Sequence, residues 1–382
     1  MSELGTAFTL FALPLLVFKL TGSALNLAIA TAASFLPYLL FGLVIGAWVD
    51  RFDRRRVLVT ADLARGALIA TIPVLSGLGL LHVWWIYGVG FAGTTVTIAF
   101  DAARFAVVPR LVSETDLIAA NGRLSAGTHV AHVLGPLLAG GLLASGLPTA
   151  EILYADSASF IVSAASIAWI ATPLWDGSRS APPSLGRAVG EGLAYVLRHP
   201  VLRNLALLGA LSNFVGATLW TQLVLFAKER LDAADAEVAV FWSAGSAGAL
   251  AFAAGASLIR RRVGFGGAVL GSTAAAGLAT TAFAFTPWLW PAVALWGVLI
   301  GVGQFVSINT TSLRQTITPP HLLGRVSTGA QVLAWSAIPA GALAGGWLIE
   351  TTGSVAVVFA AIGLIKVALG LAFSFTALRR VS

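Results

Sequence analysis

Long apolar stretches, separated by turns too short to hold a domain, recur from one end of the chain to the other. Two of them, residues 25–49 and 57–81, each exceed the roughly 20 helical residues that cross the hydrocarbon core of a bilayer. In that core every backbone N–H and C=O must be satisfied within the chain, so runs of this length can only be helices. Twelve spans are expected: 1–18, 24–49, 57–80, 83–108, 118–146, 151–172, 201–226, 237–259, 264–286, 288–313, 324–349 and 354–378. Composition decides against a large soluble core: 58% of the 382 residues are hydrophobic and only 10% charged, where a soluble domain carries about 25%. Mean hydropathy is +0.89. The expected fold is all-α and integral to the membrane.

A net charge of +7 could point to nucleic acid, but the basic residues are dispersed among the turns and form no single face. They report topology instead. Eighteen of the 23 Lys and Arg fall in the second, fourth, eighth and tenth turns or beside them, in the central segment, or in the tail. Lys19, Lys228 and Arg230 lie on the opposite side, and Arg65 and Lys366 lie within spans. This imbalance places both termini in the cytoplasm. No cysteine is present, so disulfide and thiol chemistry are excluded. Glu3 follows the start at once and no basic segment precedes the first apolar run, so no cleavable signal is expected.

Residues 173–200 form the one break in composition. Proline and small polar residues there cannot continue a spanning helix, and a short amphipathic piece follows from Leu185 to Leu197. The expected organisation is a six-helix bundle over 1–172, a cytoplasmic linker over 173–200 and a second six-helix bundle over 201–382. An internal repeat supports it. The hexad GRLSAG from Gly122 to Gly127 recurs as GRVSTG from Gly324 to Gly329, on the fifth and eleventh spans. Each copy leads to a proline and a glycine pair: Pro136 with Gly140 and Gly141, then Pro339 with Gly345 and Gly346.

Between the second and third spans lies a polar island containing Gly46, Asp50, Arg51, Asp53, Arg54, Arg55 and Arg56. It resembles the signature of the major facilitator superfamily, G-x-x-x-D-R-x-G-R-R, with Gly46, Asp50, Arg51, Arg54 and Arg55 on the pattern. Asp53 stands where the usual residue is Gly, which is similar to an efflux branch that includes macrolide and siderophore exporters. A generic arginine-rich cytoplasmic loop would account for the arginines, but not for the Gly and Asp spacing. The resemblance implies twelve helices in two parallel halves with pseudo-two-fold symmetry. It also implies that the island latches the halves together, with Asp50 near the start of the eleventh helix. The first span is short at its cytoplasmic end, where members of this family begin somewhat earlier. The equivalent of the island in the second half is eroded: Ile259 stands at the Asp position, before Arg260, Arg261 and Arg262.

Helix five carries Gly127, Gly135, Pro136, Gly140 and Gly141, similar to the G-P-x-x-G-G core of an antiporter motif, with Ala139 in place of its first paired Gly. Tight packing of small residues reads the same pattern without any export meaning. Asp101 and Arg104 stand three apart on helix four, in a stretch that resembles F-x-x-A-R-x-A-x-x-P of the same branch; they read as a gate or as a local ion pair. Asp62 and Arg65 repeat the spacing on helix three and read as mutual neutralisation.

Glu3 and Asp156, the latter placed in the outer part of helix six, are the carboxylates most available for proton coupling, since a carboxyl in low dielectric can load and release a proton. The other reading of Asp156 is that it only bonds nearby hydroxyls such as Ser157 or Ser159. By the resemblance, helices one, four, seven and ten line a cavity. The substrate candidates are Thr94, Thr95, Asn213, Gln222, Gln304, Asn309, Gln331 and Trp335, with mutual satisfaction between helices as the other reading. So few charges suit a bulky apolar compound with some hydrogen-bonding groups. His129 and His132 lack further ligands, so no metal and no cofactor is expected. Nucleotide-binding and nucleophile motifs are also absent. The chain is expected to be no enzyme, but a monomeric secondary transporter that exports a small, largely apolar compound by proton antiport. The expected partners are that substrate, protons and membrane lipid, without nucleic acid. A dedicated exporter or importer of one metabolite such as a siderophore, or a non-transporting scaffold or sensor, are the alternatives.

Overall fold

The computed structural model describes residues 2–49, 51–113, 116–174, 185–319 and 322–380, and among these no strand occurs. The helices are α1 (Ser2–Thr21), α2 (Ala24–Val49), α3 (Arg54–Gly77), α4 (Val83–Leu111), α5 (Leu117–Ala144), α6 (Leu153–Ala168) and α7 (Leu185–Arg198). There follow α8 (Pro200–Thr221), α9 (Leu223–Leu231), α10 (Asp235–Phe285), α11 (Leu289–Ile317), α12 (Leu323–Thr352) and α13 (Val355–Phe373). Among the described residues eleven helical segments are long and apolar enough to cross a membrane, two of them supplied by α10. The 16-residue α6 is shorter.

Several boundaries differ from those expected, and three of the differences have a local reason. Helix α3 starts at Arg54, not 57, because the Asp53 carboxylate accepts a hydrogen bond from the Arg55 backbone N–H at 2.9 Å and caps the helix. Such a cap satisfies a donor that the first turn otherwise leaves open. The seventh span breaks at Gln222 into α8 and α9, and α9 ends at Asp232 in the left-handed region (φ 50°). The basic turn expected at 260–262 is helical, and the helical geometry breaks at Gly264 (φ 68°, ψ 174°). A Cβ disfavours that conformation, whereas glycine adopts it readily.

The described chain resolves into two compact units. The first comprises Met1–Gly22, Ala33–Leu185 and Asp235–Ala239. In it α1 packs on α5 and α6, and α3 on α4 and α6. Val49, Leu58, Ala61, Phe100, Ala103, Val107 and Leu174 form a buried apolar cluster. Lys19 pairs with Asp235 and donates to the Thr149 hydroxyl at 2.7 Å.

The second unit comprises Ser23–Ala32, Gly186–Ala234 and Val240–Ser382. Its most extensive helix–helix contact is α12 on α8. Gly341 and Gly345 of α12 face the Phe214 carbonyl and the Thr218 side chain so closely that any Cβ would collide. Lipid tails are as apolar as leucine, so helices in a bilayer associate through this kind of close fit. Phe226, Phe283, Phe359 and Trp296 stack in its interior, Phe226 and Phe283 at 4.4 Å between ring centroids. Helix α7 docks on the start of α12: Val196 shares a buried cluster with Val326 and Ala330, and Glu191 pairs with Arg325.

Candidate functional site

The α2–α3 loop divides its arginines. Arg54 donates through Nη1 to the Ala106 carbonyl near the end of α4, at 3.3 Å. Arg55 donates to the carbonyls of Ile170 and Thr172, the latter at 2.9 Å, just beyond α6. A cation beside the carbonyl end of a helix meets the negative pole of its dipole. Two arginines of the motif therefore tie three helices together at one level. Arg51 and Arg56 remain exposed. Gly46 lies in α2, and Asp50 lies outside the described residues.

Deeper in the same unit, Asp62 and Arg65 form a buried ion pair on α3. The Arg65 guanidinium lies between two rings, 4.1 Å from the centroid of Phe100 on α4 and 4.5 Å from that of Phe160 on α6. The three-residue spacing of the charges was legible; the rings were not.

Asp156 is 1% exposed. The Thr9 hydroxyl of α1 donates to Oδ2, and the Ser159 hydroxyl lies 3.4 Å from Oδ1. Gly5 makes the approach of α1 possible, because a Cβ there would overlap Asp156 and Ser159. The next residue, Ser157, donates to the Gly66 carbonyl at 2.8 Å. Thr9 is near the middle of α1 and Gly66 is midway along α3, while Asp156 itself stands in the first turn of α6. The turn that precedes α6 is itself buried at Ala150 and Ile152. Thr9 and Gly5 escaped the sequence reading because neither residue type is unusual in an apolar span.

Glu3 is drawn elsewhere. Its Oε1 is 2.8 Å from Arg104 Nη1, and Arg104 Nη2 is 3.3 Å from Asp101 Oδ1. The gate pair and one proton-coupling candidate thus form a single half-exposed triad across α1 and α4.

Of the helix-five residues, Gly135 receives Ala7 of α1 and Gly140 receives Ala236 and Ala239, while Gly127 and Gly141 face open space. Pro136 is buried. The cavity candidates are also divided. Asn213 donates to the Ala334 carbonyl at 2.9 Å, Gln222 to Ala24 at 2.7 Å, and Asn309 to Phe305 at 2.8 Å. Gln222 and Asn309 are buried. Thr95 bonds back to the Phe91 carbonyl, and Thr94 and Gln304 are half-buried. Gln331 and Trp335 are exposed on α12. Among the described residues no His, Cys, Asp and Glu cluster could hold a metal.

Residues 1–342 match the family model for the Major Facilitator Superfamily. The chain belongs to the major facilitator superfamily. It is therefore a multi-pass membrane transporter and not an enzyme. The facilitator is 30% identical over 362 residues to "Multidrug efflux pump Tap" of Mycolicibacterium fortuitum, covering 91% of this chain and 87% of that one. It is 31% identical over 379 residues to the protein of the same name from Mycobacterium tuberculosis strain H37Rv, covering 92% and 85%. "Macrolide efflux protein A" of Streptococcus pyogenes is 32% identical over 196 residues, 51% of this chain and 48% of that one. Among solved structures, the nucleoside transporter NupG superposes with a TM-score of 0.79 at 12% identity, covering 100% and 98% of the two chains. A bacterial homologue of the iron transporter ferroportin, in an inward-facing state, gives 0.76 at 18% identity, covering 98% and 96%. At such identities these two speak for the facilitator fold alone.

Proposed function

We propose that this facilitator exports a small, largely apolar compound in exchange for protons, with Asp156 as the proton carrier. Kinship with efflux pumps over nine-tenths of the chain supports export. The observation that carries the coupling role is the buried Asp156 carboxyl, held between Thr9 of α1 and Ser159 of its own helix. An ionised carboxyl at membrane depth is costly and a neutral one is not. Its proton exchange is then tied to the side from which water reaches it, which alternating access changes. Glu3 is the weaker candidate, because Arg104 already compensates its charge.

Half-buried Thr94 and Gln304 and exposed Gln331 form the substrate-contacting set in this reading, with Asn213, Gln222 and Asn309 engaged by carbonyls. The test is transport of a lipophilic dye by the protein in proteoliposomes under an imposed pH gradient. Asp156→Asn is expected to lower gradient-driven uphill transport by about tenfold or more, a loss of 1.4 kcal/mol or more of driving interaction, while substrate exchange without a gradient persists. Uphill transport at the parental rate in that variant would remove Asp156 from the mechanism; dye that never accumulates in any condition would remove export.

Asp50 carries a conformational role in this reading, through the latch that the loop motif implies. Asp50→Asn is expected to slow transport at unchanged protein level in the membrane, and full transport in that variant would count against the latch.

A further inference from the structure

Two of the four loop arginines turn inward onto helix carbonyls, as Arg54 and Arg55 do. Arg51 and Arg56 do something else. They stand at the rim of a groove of about 680 Å³ between α2, α3 and α4. Its wall is mostly apolar, with Trp48, Val57, Ala64 and Val96 along it and the Thr60 and Thr95 side chains at intervals. Trp48 packs against Phe52 at 4.5 Å between centroids, and both are exposed. Indole rings of this kind favour the membrane–water boundary.

Three features select the occupant. The first is charge. The loop holds four arginines against Asp50 and Asp53, so it is cationic overall. Of the acids, Asp53 also lines the groove, but one of its oxygens caps α3 and the other is 3.9 Å from Arg56 Nε. The second is length. From Arg56 to Ala64 the groove follows α3 for eight residues, about 12 Å at 1.5 Å per residue. One leaflet of the hydrocarbon core is about 15 Å thick. The third is place. The rim lies at the junction of two spanning helices, where the headgroups of a leaflet lie. A molecule with an anionic head and about 12 Å of apolar tail matches all three.

We propose that this groove binds one anionic phospholipid from the leaflet it faces. Arg51 and Arg56 hold the phosphodiester, since guanidinium forks match phosphate oxygens. One acyl chain lies along α3, between α2 and α4. The lipid is a structural ligand of the motif loop, distinct from transported substrate. It engages the arginines that do not bind helix carbonyls, so it leaves the Arg54 and Arg55 ties intact.

The experiment is native mass spectrometry of the purified full-length protein titrated with phosphatidylglycerol. Phosphatidylethanolamine and phosphatidylcholine of the same chain length serve as comparisons. A one-to-one phosphatidylglycerol adduct is expected at concentrations where the zwitterionic lipids are not retained. The Arg51→Gln/Arg56→Gln double variant is expected to weaken it by about tenfold, as loss of two cations near an anionic head implies. Arg123→Gln, at an exposed position on α5 away from the groove, is expected to change it less than about twofold. Thr60→Trp keeps both arginines but fills the groove, and is expected to abolish the adduct. Equal retention of all three lipids, preference for a zwitterionic one, unchanged affinity in the double variant, or binding that survives Thr60→Trp would each overturn the proposal. The measurement uses neither substrate nor gradient, so its outcome is separate from that of the transport assay.

Discussion

Arg65 is 8% exposed at a depth where a lone charge costs about 2.5–3.5 kcal/mol on insertion scales. Asp62, one turn earlier, offsets the net charge. The two flanking rings add what an ion pair alone does not, because each presents its negative face to the planar guanidinium. Lysine keeps the charge but loses the plane. Arg65→Lys and Phe100→Leu are each expected to lower the thermal midpoint of the protein in detergent. Combined, they should show a coupling of about 0.5–2 kcal/mol. Strict additivity would mean that Phe100 only fills space. The pair itself was readable from its spacing, because residues three apart share a helix face whatever surrounds them. Phe100 and Phe160 were not, since they reach Arg65 from α4 and α6. The same holds for Thr9 beside Asp156 and for Glu3 beside Arg104. Hydropathy tells that a helix spans; it says little about which face of it meets which neighbour.

Between elements, close approach through glycine governs the packing of α12 on α8. Gly345 has no room for a Cβ against Thr218, whereas Gly141 on α5 faces open space. Both belong to the paired glycines of the internal repeat, so the sequence treats them alike and the structure does not. Gly345→Ala is expected to destabilise by about 1–3 kcal/mol through overpacking. Gly141→Ala is expected to be neutral or slightly stabilising, since alanine is the better helix former by about 1 kcal/mol. Thermal unfolding of the two variants reads the difference; equal shifts would show that helix propensity, and not the α8–α12 fit, sets the effect. Helix existence was legible almost throughout, because an apolar run of spanning length has one regular solution in a bilayer. What escaped were the places where one side chain or one dihedral decides. Asp53 starts α3 early, Gln222 marks the break before α9, and Gly264 breaks the helical geometry within α10.

For the whole molecule, direction of transport has meaning only once the two faces are assigned to compartments. The sequence expectation sets eighteen Lys and Arg in cytoplasmic turns, the central segment and the tail against three in the opposite turns, because basic turns are retained in the cytoplasm. Arg54 and Arg55 donate to carbonyls near the ends of α4 and α6, so two of these cations also serve packing. The chain has no cysteine, which makes the assignment directly measurable with single introduced thiols. Ser145→Cys, at an exposed position after α5, is expected to react with a membrane-impermeant maleimide on intact cells. Ser178→Cys, in the segment between the sixth and seventh spans, is expected to react only after the cells are permeabilised. The reverse pattern would put the motif loop outside. The Glu3–Arg104–Asp101 triad lies at the start of α1 and toward the end of α4, hence on the same face as that loop. It would then meet the external medium, and export from the side that these arginines face would become uptake.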